Sequence, residues 1–168
     1  MTIGRSLESD PIDEARQQWI SHGWAAAADG MAAVTSIVRA QQIVLQRIDS
    51  ALRPLDLTFA RFEILTLLSF TKHGALPMTR MGALLQVHPT SVTSAVDRLE
   101  SQGFVKRLPH PTDRRAVLAS ITETGRARAL AATMALNGQV FEQLGITEHQ
   151  TNQLRTVLRA LRANAGDF

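Results

Sequence analysis

Apolar and polar positions alternate along this chain with mainly helical periods. Over 89–102, Val92, Ala95, Val96 and Leu99 fall at i, i+3, i+4 and i+7, the spacing of one buried helix face. The opposite side carries Thr90, Ser91, Ser94 and Arg98, with Thr93 at its margin. Upstream, Asp10-Pro11 followed by Asp13 and Glu14 opens a helix that stops before Gly23. An alanine-rich stretch reads as a hinge. Asp29 then opens a long helix over about 30–52, striped by Val34, Ile37, Val38, Gln41, Leu45 and Ile48 and ended by Pro54. Thr58 caps a largely apolar helix over 59–72, and a short helix over 78–85 turns Met81, Leu84 and Leu85 inward. Gly103 closes the 89–102 helix.

Beyond Gly103 the period changes to that of strands, over 104–108 and 117–122, joined by the turn chemistry of Pro109-His110-Pro111-Thr112-Asp113. Helical spacing resumes at Glu123 and runs to about residue 145, with Leu130, Met134 and Phe141 along one side and Gly138 marking a bend or close packing. Thr147 with Gln150 makes a capping box for a last helix striped by Leu154, Val157, Leu158 and Leu161. The fold expected is mainly α with a small β-hairpin wing, a winged helix-turn-helix flanked by helices at both ends. The winged module spans 56–122, the flanking dimerisation helices 30–55 and 123–168, and residues 1–29 form an N-terminal extension, all within one compact domain.

Composition narrows the chemistry. The 168 residues hold no cysteine, which closes the disulfide, thiolate-metal and thiol-redox routes. His22, His73, His88, His110 and His149 are scattered without metal-ligand spacing, so neither a metal nor another cofactor is expected. No phosphate-cradling glycine loop, HExxH or supported Ser/His/Asp set is present, and an enzyme is not expected. The N-terminal stretch lacks a basic segment followed by an apolar one, and no apolar run reaches membrane-span length, so cytoplasmic residence without a membrane partner is expected. Net charge is only +3, but its placement is uneven: Lys106, Arg107, Arg114 and Arg115 crowd 104–115 against Asp113 alone.

A hydroxyl-faced helix is common on protein surfaces, and a basic hairpin by itself can be a solvated loop. Together they describe a device for duplex DNA. Short hydroxyl side chains let a helix press into the major groove, N-terminal turn first. A basic hairpin can straddle the backbone and place an arginine in the minor groove. Asp113 is near enough in sequence to orient Arg115 by a charge-assisted bond. His88, beside Pro89, is a candidate phosphate donor, equally readable as a solvated turn residue.

The segment 78–125 resembles the DNA-binding region of the MarR (multiple-antibiotic-resistance regulator) family. The resemblance rests on Thr90-Ser91-Val92-Thr93, Asp97-Arg98-Leu99-Glu100, Gly103-Phe104-Val105 and Pro111-Thr112-Asp113-Arg114-Arg115 ahead of Leu118 and Thr122. It implies a homodimeric transcriptional regulator, a repressor, meeting a pseudo-palindromic operator in double-stranded DNA. Under it, Thr90, Ser91, Thr93 and Ser94 face base edges or nearby phosphates, and Arg98 touches phosphate or braces the domain. Lys106, Arg107 and Arg114 belong to the basic wing, and Arg115 is its minor-groove finger. It also implies release by a small lipophilic or aromatic ligand. Trp19, His22 and Trp24 read first as a dimer-interface anchor and alternatively as the wall of a ligand pocket with Phe59 and Phe62. Two competing functions remain: a winged-helix module that binds protein, and an architectural protein indifferent to DNA sequence.

Overall fold

The computed structural model describes residues 9–113 and 116–168; Arg114 and Arg115 lie outside the described residues. The chain falls into two compact units that divide between Arg47 and Ile48.

The first unit holds helix α1 (Pro11–Ser21) and most of helix α2 (Ala25–Leu52). Asp10 caps α1, its carboxylate accepting from the Ile12 amide at 2.9 Å, and Gly23 turns the chain at φ 89°. The expected hinge is shorter than the sequence suggests. Helix α2 begins at Ala25, because a run of alanines is the best helix former available. Asp29 is therefore not a cap; it sits inside α2 and pairs with Arg16 of α1 at 2.6 Å. Val34, Ile37, Val38 and Leu45 of the predicted stripe are exposed, and only Ile48, which belongs to the second unit, is buried.

The second unit contains the core. After α2, a 3-10 turn (Arg53–Leu55) leads through Asp56, at φ 51°, into α3 (Phe59–Phe70), capped by Thr58. Helices α4 (Met78–Leu85) and α5 (Pro89–Ser101) follow, then strands β2 (Val105–Pro109) and β3 (Val117–Ile121). A strand absent from the sequence reading, β1 (Ala75–Pro77), adds to the far edge of β3, giving an antiparallel sheet in the order β1-β3-β2. Three residues that end in proline give no alternation to read, yet Ala75 pairs with Ser120 and Leu76 with Ala119. Leu65, Leu68, Met81, Val92, Val96, Leu99, Val105 and Ala119 form the centre of this unit, each almost wholly buried.

Helix α6 (Glu123–Leu136) lies against α3 and ends in a π-helical turn (Asn137–Phe141) that holds Gly138, where a bend was expected. It buries Ala129, Ala132 and Leu136, followed by Val140 in the π turn; Leu130, Met134 and Phe141 face outward. Helix α7 (Glu148–Asn164) opens with the predicted Thr147/Gln150 capping box and has no buried residue.

At the first turn of α6 the backbone passes so close to the start of β2 that a Cβ at Gly125 would overlap the Phe104 carbonyl. Gly125→Ala should therefore cost about 3 kcal/mol, the upper end of overpacking effects, as measured by urea unfolding. Burial raises the pKa of Glu63, on α3, from its ordinary 4.5 by desolvating the carboxylate. At this carboxyl the fold holds a proton more readily than the unfolded chain, so Glu63's contribution to stability declines as pH rises from 4.5 to its folded value. Glu63→Gln should raise the thermal midpoint at pH 7, and that gain should vanish below about pH 4.

Candidate nucleic-acid interface

Helix α5 has two unlike faces. Val92, Val96 and Leu99 point into the core, while Thr90, Ser91, Thr93, Ser94 and Arg98 are exposed. Burying those three apolar side chains stabilises the helix by about 1.5–3 kcal/mol each and fixes which side looks outward. The turn before it is tight. Gln86 closes α4 at φ 54°, and Gly82 lies close under Val87 and Val92.

His88 is the N-cap of α5. Its Nδ1 accepts from the Thr90 amide at 3.3 Å and lies 3.1 Å from the Thr90 hydroxyl. An Nδ1 that accepts carries no proton in the neutral ring, so the proton is assigned to Nε2. That leaves a donor at the exposed N-terminal turn, where the helix dipole favours an anion. Thr93 is partly committed: its hydroxyl donates to the Pro89 carbonyl at 3.1 Å and retains its accepting capacity. Ser91 and Ser94 line a concavity of about 540 Å³ with Thr58, Arg61, Thr90 and Arg98, between the start of α3 and the outer face of α5.

The wing residues divide. Lys106 is exposed on β2. Arg107 turns back towards α5, with Nη2 on Asp97 at 2.5 Å, Nη1 on Glu100, and its amide on Glu100 Oε1 at 3.0 Å. Its side chain is 28% exposed. Desolvation lowers its pKa, but the hydrogen bonds to Asp97 and Glu100 and their negative charges outweigh that and hold it above the ordinary arginine value. The sequence grouped Arg107 with the phosphate-facing wing; its geometry makes it the tie between wing and helix. Asp113 stands at the wing tip, and the expected partner Arg115 lies outside the described residues.

The structure gives several residues at the site partners that the sequence did not assign. His110 organises the wing tip, its Nδ1 accepting from the Thr112 amide at 3.3 Å and the Asp113 amide at 3.1 Å. Arg61, Asp56 and Gln102 form hydrogen bonds at the other end of α5, between residues up to 46 positions apart. Arg98 lies 3.8 Å from Asp56 with both side chains largely exposed, a pairing worth little in water.

The aromatic residues separate into two groups. Trp19 and Trp24 meet edge to face at 5.3 Å in the first unit, with the His22 ring 6.0 Å from Trp24. Phe59 and Phe62 stack at 6.0 Å in the second, where Phe62 is part of the core. Among the described residues no three His, Asp or Glu side chains converge as a metal site would require, and no helix is long and apolar enough to cross a membrane.

The MarR family model matches residues 57–117, from the turn before α3 to the start of β3. The multiple antibiotic resistance protein MarR of Salmonella typhimurium is 34% identical over 80 residues, 48% of this chain and 54% of that protein. The match thus spans about half the length of this curated relative. A MarR variant from E.coli, solved in complex with operator DNA, superposes with a TM-score of 0.70 at 26% identity, covering 76% of this chain and 91% of that one. Sco5413, a MarR family transcriptional regulator from Streptomyces coelicolor, superposes with a TM-score of 0.75 at 46% identity, covering 83% of this chain and 97% of that one. Likeness at that identity over nearly the whole of a family member shows the family: this chain belongs to the MarR family.

Proposed function

We propose that this chain is a homodimeric, sequence-specific regulator of transcription, a repressor that reads duplex DNA with α5 and clamps the backbone with the β2–β3 wing. The observation that carries the reading is the outer face of α5: four exposed hydroxyls and Arg98 on a helix whose rotation is fixed by its buried side. Hydroxyls both donate and accept at base edges, and the His88 cap presents an N–H to phosphate at the turn that enters the groove first. Dimerisation is supported within each unit by apolar side chains left in water: Val34, Ile37 and Val38 on α2, and Leu154, Val157 and Leu161 on α7. A two-fold dimer presents two α5 helices to half-sites about one turn of DNA, roughly 34 Å, apart. For release, the reading is a small lipophilic or aromatic ligand. The Trp19–Trp24 pair supplies the probe: benzoate bound beside it would quench their fluorescence and Trp19→Phe would weaken the response, whereas an unchanged response would remove Trp19 from the ligand site.

The deciding experiment is selection of binding duplexes from a random library, followed by titration of the selected and a scrambled duplex at two salt concentrations. A preference of about a thousandfold, with affinity falling steeply as salt rises, is the expected result. Equal affinity for both duplexes would overturn the reading in favour of architectural binding, and no binding to either would favour a protein-binding module.

Two substitutions separate the roles on α5 and the wing. Ser91→Ala should cost about 1–3 kcal/mol on the selected duplex and little on the scrambled one. Arg107→Ala leaves Asp97 and Glu100 unneutralised beside the phosphates, so it should weaken binding to every duplex and also lower the thermal midpoint. An unchanged midpoint would show that Arg107 does not tie the wing to the helix.

A further inference from the structure

The C-terminal end of α5 is held by a side chain that bonds in both directions. Gln102 Nε2 donates to Asp56 Oδ2 at 2.7 Å and to the Asp56 carbonyl at 3.1 Å, and Gln102 Oε1 accepts from Arg61 Nη1 at 3.1 Å. Arg61 Nε in turn donates to the capping hydroxyl of Thr58 at 3.3 Å. Closing the helix does not need these bonds. Gly103, at φ 74°, and the amides of Gly103 and Phe104, bonded to the Glu100 and Leu99 carbonyls at 2.9 Å each, already complete the C-cap. The contacted turn is itself held from the other side, where Arg128 of α6 donates to the Leu55 carbonyl at 3.0 Å. Asp56 occupies the left-handed region at φ 51°, a conformation that aims both its carbonyl and its carboxylate at one amide.

We infer that Gln102 and Asp56 are positioning residues that set the tilt of α5 in the groove, and so govern discrimination between sequences more than affinity. The inference rests on the regulator reading above. Gln102 is eleven positions beyond Ser91, about 16 Å along the helix, so a tilt of about 10° at this end moves the reading turn by about 3 Å. Base-edge hydrogen bonds fail over a displacement that size, because they need correct distance and angle. Phosphate contacts made by long, flexible lysine and arginine side chains follow such a shift. Loss of the latch therefore flattens sequence preference and leaves non-specific binding in place.

The test exchanges donor and acceptor. Gln102→Glu sets a carboxylate against that of Asp56, while Asp56→Asn keeps the left-handed turn, which asparagine tolerates, and supplies an amide. Combining the two restores one hydrogen bond in the opposite sense. Gln102→Glu should lower the ratio of selected-duplex to scrambled-duplex affinity about tenfold, the worth of one charge-assisted bond, with scrambled-duplex affinity held within about twofold. Gln102→Ala, which adds no charge, should shift the ratio in the same direction, and the double variant should return it to within about threefold of the unmodified protein. A ratio unmoved by Gln102→Glu and Gln102→Ala, or a double variant no better than Gln102→Glu, overturns the inference. The regulator reading fails separately: the unmodified protein then enriches no sequence from the library, and this inference falls with it.

Discussion

Everything at this interface depends on the burial of one side of α5. Val92, Val96 and Leu99 are buried where α5 packs on α3 and α4, in the same core as Leu65, Leu68 and Met81, and a helix so held cannot rotate. A step of one residue, about 100°, would carry hydroxyls into an apolar interior without partners and bring valines out. Each misplaced hydroxyl costs about 1–3 kcal/mol by protein measurements. The core thereby aims polar groups that it does not itself contact. Stability and recognition are written on alternate positions of the same thirteen residues.

Charge at the site is arranged to remove repulsion as much as to supply attraction. Helix α5 carries Asp97 and Glu100, two carboxylates on the element proposed to approach a polyanion. Arg107 reaches back from β2 and neutralises both, which is why this arginine is drawn out of solvent. One basic wing residue therefore serves the protein itself, while Lys106 stays exposed on β2. Counting basic residues along 104–115 overstates the charge available to DNA for the same reason.

What the sequence made legible was local. The 3.6-residue period located α5, glycine and proline located its ends, and the change to alternation located β2 and β3. Each depends on neighbours within about four residues. The alanine-rich run before Asp29 carried no apolar period, so its helical state was missed although alanine favours it intrinsically. Asp29 resembled a cap because its real partner, Arg16, lies thirteen positions earlier. Strand β1 is too short for a period and exists because β3 offers it an edge. The links of Gln102 to Asp56 and Arg61, and of Arg107 back to α5, belong to tertiary geometry, where residue type alone selects no partner.

Helical stripes raise a deeper ambiguity. The same period announces a buried face whether its cover comes from this chain or from another. Val92, Val96 and Leu99 are covered from within, whereas Val34, Ile37 and Val38, the outward Leu130 and Met134, and Leu154, Val157 and Leu161 are not. Leu130 alternates on α6 with Ala129 and Ala132, so one helix presents a small-residue side to α3 and a large apolar side to solvent. Water-facing leucine, valine and methionine at helical spacing, on three helices outside the winged module, is the composition of an interface rather than of a surface. The structure thus divides what the sequence could only pattern. One set of stripes builds the core of the winged module, and the remaining sets are the apolar surface that the proposed dimer would cover.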